Sequence, residues 1–271
     1  MAITLTEEVA IRSAPKKRPS RKQVKLAREF DVDIARLSKQ FARDIIKVLN
    51  EFGKDLEKAT LKIIDREKDI AEDAVQAGLI AEEVNIAGFE VQMAQVYEKN
   101  YKRIMRATEK RTSATMDLAI SITDDTEAQI LSGITDRIGL MDINKKTTRK
   151  IFQELGKGRG EGESVVQLAR RIRDFVPAGR FKKVSTRAQL IARTEATHAQ
   201  KMAAAASYSE NGVEEVMIMD NRLGTADMAT DPECIQLVGK VVSIQDGVSL
   251  MDEEHPNGTR RMVAMPPPVE E

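Results

Sequence analysis

Phe30, Ile34, Leu37, Phe41, Ile45, Val48, Phe52 and Leu56 recur at steps of three and four residues. Such steps return each side chain to one face of a 3.6-residue helix, so the positions predict a long amphipathic helix with a continuous apolar stripe. A stripe of that length demands partners. Helical sequence runs on through Arg111 towards Leu140, with weaker periodicity and small interruptions at Gly78 and Gly88. The region is expected to be an extended helical bundle with highly charged outer faces. Composition fits: 41% of residues are hydrophobic but only 4% aromatic, so cores must be built from Leu, Ile, Val, Met and Ala rather than around aromatic-lined pockets.

The formal charge is zero, yet charged residues make up 32% of the chain and are unevenly spread. Between Arg12 and Arg28 there are eight basic residues and no acidic one, which leaves the remainder net acidic by eight. The stretch "IRSAPKKRPSRKQVK" carries two prolines and two serines among these cations, and buries too little apolar surface to order itself. It is expected to be a flexible arm over residues 1–27, with Lys16, Lys17, Arg18, Arg21, Lys22 and Lys25 offered to a polyanion. A single cysteine excludes an internal disulfide and fits a reducing compartment. No apolar run reaches the ~18 residues of a membrane span, and "MAITLTEEVA" lacks the basic-then-apolar order of a secretory signal.

A break is expected at "LGKGRGEGES", Leu155 to Ser164. Its glycines match neither the Walker A nor the dinucleotide spacing and follow no strand, so a hinge is expected rather than a phosphate loop. Ser164 and Gln167 form a capping-box pattern, and Val165, Leu168, Ala169, Ile172 and Val176 supply a buried face that Pro177 and Gly179 end. The other side carries Arg170, Arg171, Arg173, Arg180, Lys182, Lys183 and Arg187 against one acid, Asp174. This is either a second phosphate-tracking surface, with Arg170, Arg171, Lys182 and Lys183 foremost, or a solvated helix back.

In "RAQLIARTEATHAQKMAAAASYSENGV", Arg187 to Val213, one helical face holds Ala188, Ile191, Ala192, Ala199, Met202, Ala203 and Ala206, and Glu195 interrupts it. After Gly212 come three short runs of strand character, "VEEVMIMD", "KVVSI" and "TRRMVAM", bounded by Gly, Asp, Asn or Pro. A small sheet packed on the alanine-rich helix is expected. The fold class is therefore α+β, mainly α. A long N-terminal helical bundle over 28–155 precedes a small C-terminal helix-plus-β module over 156–271, which ends in the loose tail "PPPVEE".

The order "GESVVQLARRI", "RAQLIARTE", Ala206 with Asn211-Gly212-Val213, "MDNR", "CIQLVGKVV" and "HPNGTR" resembles the head-morphogenesis or minor head proteins of tailed bacteriophages, the family of the phage Mu F-like protein. The resemblance covers roughly residues 125–268 and is carried most strongly by Ile191 to Glu195 and by His255-Pro256-Asn257. It implies a structural virion protein of the head interior and portal vertex, acting in head assembly, DNA packaging or genome delivery without catalysis or cofactor. The implied partners are the portal protein, capsid or scaffold proteins and packaged DNA, with no membrane and with homo-oligomerisation around the portal ring. Family members often carry Cys-x-x-Cys and a later His-Pro-x-Cys-x-Cys; here those positions read Asp231, Cys234, His255, Gly258 and Arg260. Three ligands remain, Asp231, Cys234 and His255, where structural zinc prefers four, so the module is expected to fold without metal.

The rival reading is a metal-dependent hydrolase or nuclease in which Glu195, Asp220, Asp231 and His255 converge on an ion. The sequence lacks HExxH and a nucleophile elbow, and has only two histidines. No helix-turn-helix reader of a DNA-binding regulator is found. For Glu195 the expectation is a structural clamp, because an unpaired buried carboxylate costs several kcal/mol or neutralises. Arg222, Arg260, Arg261 or loop N–H groups are its expected partners, while Arg193 and Thr194 make separate polar contacts.

Overall fold

The computed structural model describes residues 14–66, 72–116, 121–133, 143–220, 236–252 and 260–265. Among these residues there are eight helices: α1 (Arg21–Arg66), α2 (Asp73–Glu83), α3 (Ile86–Met116), α4 (Asp124–Ser132), α5 (Ile143–Gly160), α6 (Val165–Phe175), α7 (Val184–Glu210) and α8 (Ile244–Asp252). The strands β1 (Glu215–Asp220), β2 (Val241–Ser243) and β3 (Arg260–Ala264) form one antiparallel sheet in the order β2-β1-β3. The chain is mainly α with a small C-terminal sheet, as the hydrophobic periodicity predicts.

Two compact units divide the residues differently from the expected linear order. One comprises 1–38, 100–131 and 193–271, the other 39–99 and 132–192. The boundaries fall inside α1, α3, α4 and α7, because a continuous stripe specifies a helix but not which turn joins which core.

In the first unit the sheet is covered on both faces. Ala204, Ala205 and Tyr208 of α7 and Leu250 of α8 pack with Val216 and Ile218 of β1 and Met262 of β3. Leu26, Ala27 and Phe30 of α1 pack with Met217, Met219, Val241 and Val263. Alternate residues of β1 thus enter opposite cores, which is why "VMIM" is apolar throughout rather than alternating. Ala204 and Ala205, with no side chain beyond Cβ, let α7 lie close on one of these faces.

Residues 14–27 do not form the expected flexible arm. Residues 1–13 lie outside the described residues, but Lys17 N–H donates to the Gly239 carbonyl at 2.9 Å and Val241 N–H to that of Pro15 at 3.2 Å, so Pro15 to Lys17 run antiparallel along the free edge of β2. Helix α1 then starts at Arg21 under a capping box: Ser20 N–H donates to Gln23 Oε1 at 2.9 Å, and Gln23 N–H to Ser20 Oγ at 3.2 Å. Gln23 Nε2 also donates to the Ala264 carbonyl at 3.0 Å. Charge counting overlooked Leu26 and Ala27, which supply the apolar anchor.

The second unit is helical. Phe41 meets Tyr97 edge-on with centroids 5.0 Å apart, and Phe52 stacks on Phe89 at 4.3 Å. Helix α2 packs on α5, and α5 on α6. The hinge expected from Leu155 is shorter than the glycines indicate: α5 continues to Gly160, and the turn follows with Gly162 at φ +73°. Tertiary packing overrides the low helix propensity of glycine. Ser164 and Gln167 form the expected capping box, and Leu168, Ala169, Ile172 and Val176 are buried, whereas Val165 is exposed.

Candidate functional site

Within the first unit Glu195 is only 7% exposed, and its Oε2 accepts a hydrogen bond from the Tyr101 hydroxyl at 2.6 Å. The bond joins α7 to α3. Arg260 Nη1 donates to the Leu250 carbonyl at 3.2 Å, while Arg261 Nη2 lies 2.9 Å from Asp31 Oδ1 and its Nη1 donates to the Arg260 carbonyl. Arg222 lies outside the described residues. Arg193 is exposed and Thr194 half-buried. Tyr101 was legible in principle: Tyr97 and Tyr101 stand one turn apart on a helix of charged sequence, and a buried tyrosine needs an acceptor. Nearby sequence buries Lys201, Asp220, Lys240 and Arg260 as well, and none of these is without a partner. Burial also pushes the Tyr208 hydroxyl above its ordinary pKa.

The same unit holds a groove of about 740 Å³ lined by Arg18, Pro19, Arg21, Val24, Lys25, Arg28, Glu29, Val32 and Arg111. Arg21, Lys25, Arg28 and Val32 share one face of α1 by their three- and four-residue spacing. Arg111 crosses from α3, and its Nε donates to Asp33 Oδ2 at 2.7 Å, a bond that raises the guanidinium above its ordinary pKa. Glu29 accepts from the Thr115 hydroxyl at 2.9 Å and stands 4.0 Å from Lys25 Nζ. Lys16, Lys17, Arg18, Arg21, Lys22 and Lys25 are all exposed.

The second set of expected cations, in the other unit, separates. Arg171 turns inward: it is bidentate to Glu163, with Nε and Nη2 at 2.9 and 2.7 Å, and also meets Glu154 and Glu161. Burial opposes the charge on Glu154, but Lys150, Lys157 and Arg171 outweigh it and hold this carboxyl below its ordinary pKa. Arg173 is shared by Asp174 and Glu57. Arg187 Nη1 donates to the Pro177 carbonyl, and burial lowers the pKa of Arg187. Arg170, Lys182 and Lys183 remain exposed, and the two lysines line an open groove of about 690 Å³ with Lys54 and Phe175. The helix back is thus mostly an internal ion-pair network with a smaller cationic remnant.

Asp231, Cys234 and His255, on which the metal and hydrolase constellations depend, lie outside the described residues. Among the described residues no three His, Cys, Asp or Glu side chains group as metal ligands, and no helix is long and apolar enough to cross a membrane. No protein-family model matches the chain, and no significant match was found among curated proteins or solved structures.

Proposed function

We propose that the chain is a structural component of a tailed-phage head, a minor head protein of the portal vertex and head interior that acts in assembly, packaging or genome delivery. Its partners on this reading are the portal protein and capsid or scaffold proteins, and it performs no catalytic step. The observation that carries the reading is where the resembling residues fall. Asn211 and Gly212 close α7: Val213 N–H donates to the Tyr208 carbonyl, Gly212 has φ +71°, and Asn211 Nδ2 donates to the Ser207 carbonyl at 2.7 Å. Met219 and Asp220 end β1, Gly239 to Val242 lead into β2, and Arg260 opens β3. The described residues of these four pieces therefore stand at joints of one helix-plus-sheet module, and that placement supports the reading.

The test is to identify the chain by mass spectrometry in purified DNA-filled particles from the strain that encodes it, together with co-purification of the tagged protein with a ring-shaped oligomer. A low, fixed copy number per particle is expected. Absence from particles overturns the reading, as does metal-dependent hydrolysis by the purified chain that Glu195→Gln abolishes without loss of folding.

A further inference from the structure

The geometry points to the groove between the start of α1 and Arg111 as a binding site for the phosphate backbone of duplex nucleic acid, held without regard to base sequence. Arg18, Arg21, Lys25, Arg28 and Arg111 line it against one carboxylate, Glu29, which is already engaged by Thr115 and Lys25. Arg18, Arg21 and Arg28 have no ion pair among the described residues. From Arg21 to Arg28 the helix advances about 10 Å at 1.5 Å per residue. A duplex presents a phosphate about every 3.4 Å along each strand, so three cations over that length meet several phosphates.

The lining selects among anions. It contains no aromatic side chain, so bases of a single strand find no stacking platform. It contains no Asn or Gln for bidentate reading of adenine. Lys16 and Lys17 carry the positive surface past the groove along the edge of β2. A long polyanion can use that extension, whereas a short acidic peptide seated in the groove cannot.

The site is also built rather than draped. Pro15 to Lys17 are hydrogen-bonded to β2, Ser20 and Gln23 cap α1, and Asp33 fixes Arg111. Cations held on rigid elements lose less side-chain and loop freedom on binding than the same cations on a loose arm. This inference rests on the groove and stands apart from the head-protein reading: the chain can be absent from particles and still bind DNA here.

Fluorescence anisotropy of the full purified chain with two labelled duplexes of unrelated sequence tests it. Equal affinities are expected, falling steeply between about 50 and 200 mM salt through counterion release. Arg18→Ala/Arg21→Ala/Arg28→Ala should bind more than about 10-fold more weakly, with a log–log salt slope shallower by about 2.7, three phosphates at 0.9 each. Arg18→Lys/Arg21→Lys/Arg28→Lys should keep most of the affinity, and Lys182→Ala/Lys183→Ala should change little. Unchanged affinity in the alanine variant with an unchanged melting curve overturns the proposal. So do a strong preference for one duplex, or binding of a poly-glutamate of equal charge as tightly as DNA.

Discussion

Glu195 is a carboxylate in an alanine face, and its position can be put to a direct test. Tyr101→Phe removes the hydroxyl that donates to it and leaves buried oxygen short of a donor. A loss of about 1–3 kcal/mol in urea unfolding is expected, and Glu195→Ala should cost less in the Tyr101→Phe background than alone, because the two changes remove the same bond. Glu154 offers a second test through pH. Its folded pKa is depressed, so its contribution is fully present above the ordinary carboxylate pKa of about 4.3 and is lost as pH falls through the lower folded value. Melting temperature should therefore drop below about pH 4.5, and Glu154→Gln should flatten that drop while lowering stability at pH 7. An equal acid slope in the two proteins would show that the Lys150, Lys157 and Arg171 pairing carries no linkage.

At the scale of elements, glycine separates propensity from packing. Gly53 sits inside α1, where alanine would ordinarily be better by about 1 kcal/mol. A Cβ there would stand 2.7 Å from the Arg173 carbonyl oxygen and 3.3 Å from Pro177 Cγ, so backbone must move. Gly53→Ala should destabilise by about 1–3 kcal/mol. Gly78, inside α2, would meet nothing within 4 Å. Gly78→Ala should instead stabilise by about 0.5–1 kcal/mol. Thermal melts of both variants check the opposite signs. In the sequence Gly78 reads as an interruption and Gly53 lies unmarked within the α1 stripe; that one is a close helix approach and the other an open surface is a property of the neighbours. Helix α6 shows the converse: its start was legible in Ser164 and Gln167, because a capping box is closed by residues three apart.

At the scale of the whole molecule, the chain is neutral near its isoelectric point of about 6.8 while eight cations cluster between Arg12 and Arg28. Opposed fields on one neutral molecule favour association at low salt, screened once the Debye length falls below about 10 Å. Light scattering near pH 7 should show larger species at about 10 mM salt that dissolve above about 150 mM; size independent of salt would mean that this asymmetry drives no association. The sequence by itself determined what depends on near neighbours: the α1 stripe from Phe30 to Leu56, the cap of α6, the three strands and the mainly α class all follow from spacings of two to four residues. Only the tertiary structure decided which surfaces those elements face. Leu26 and Ala27 lie against the sheet, so the basic segment before them is anchored; Tyr101, from a distant helix, donates to Glu195; and Arg171 turns from solvent to three glutamates. The partners in these pairs lie from 8 to 94 positions apart or come from separate elements, and local periodicity holds no information about which distant groups the folded chain brings within hydrogen-bond reach.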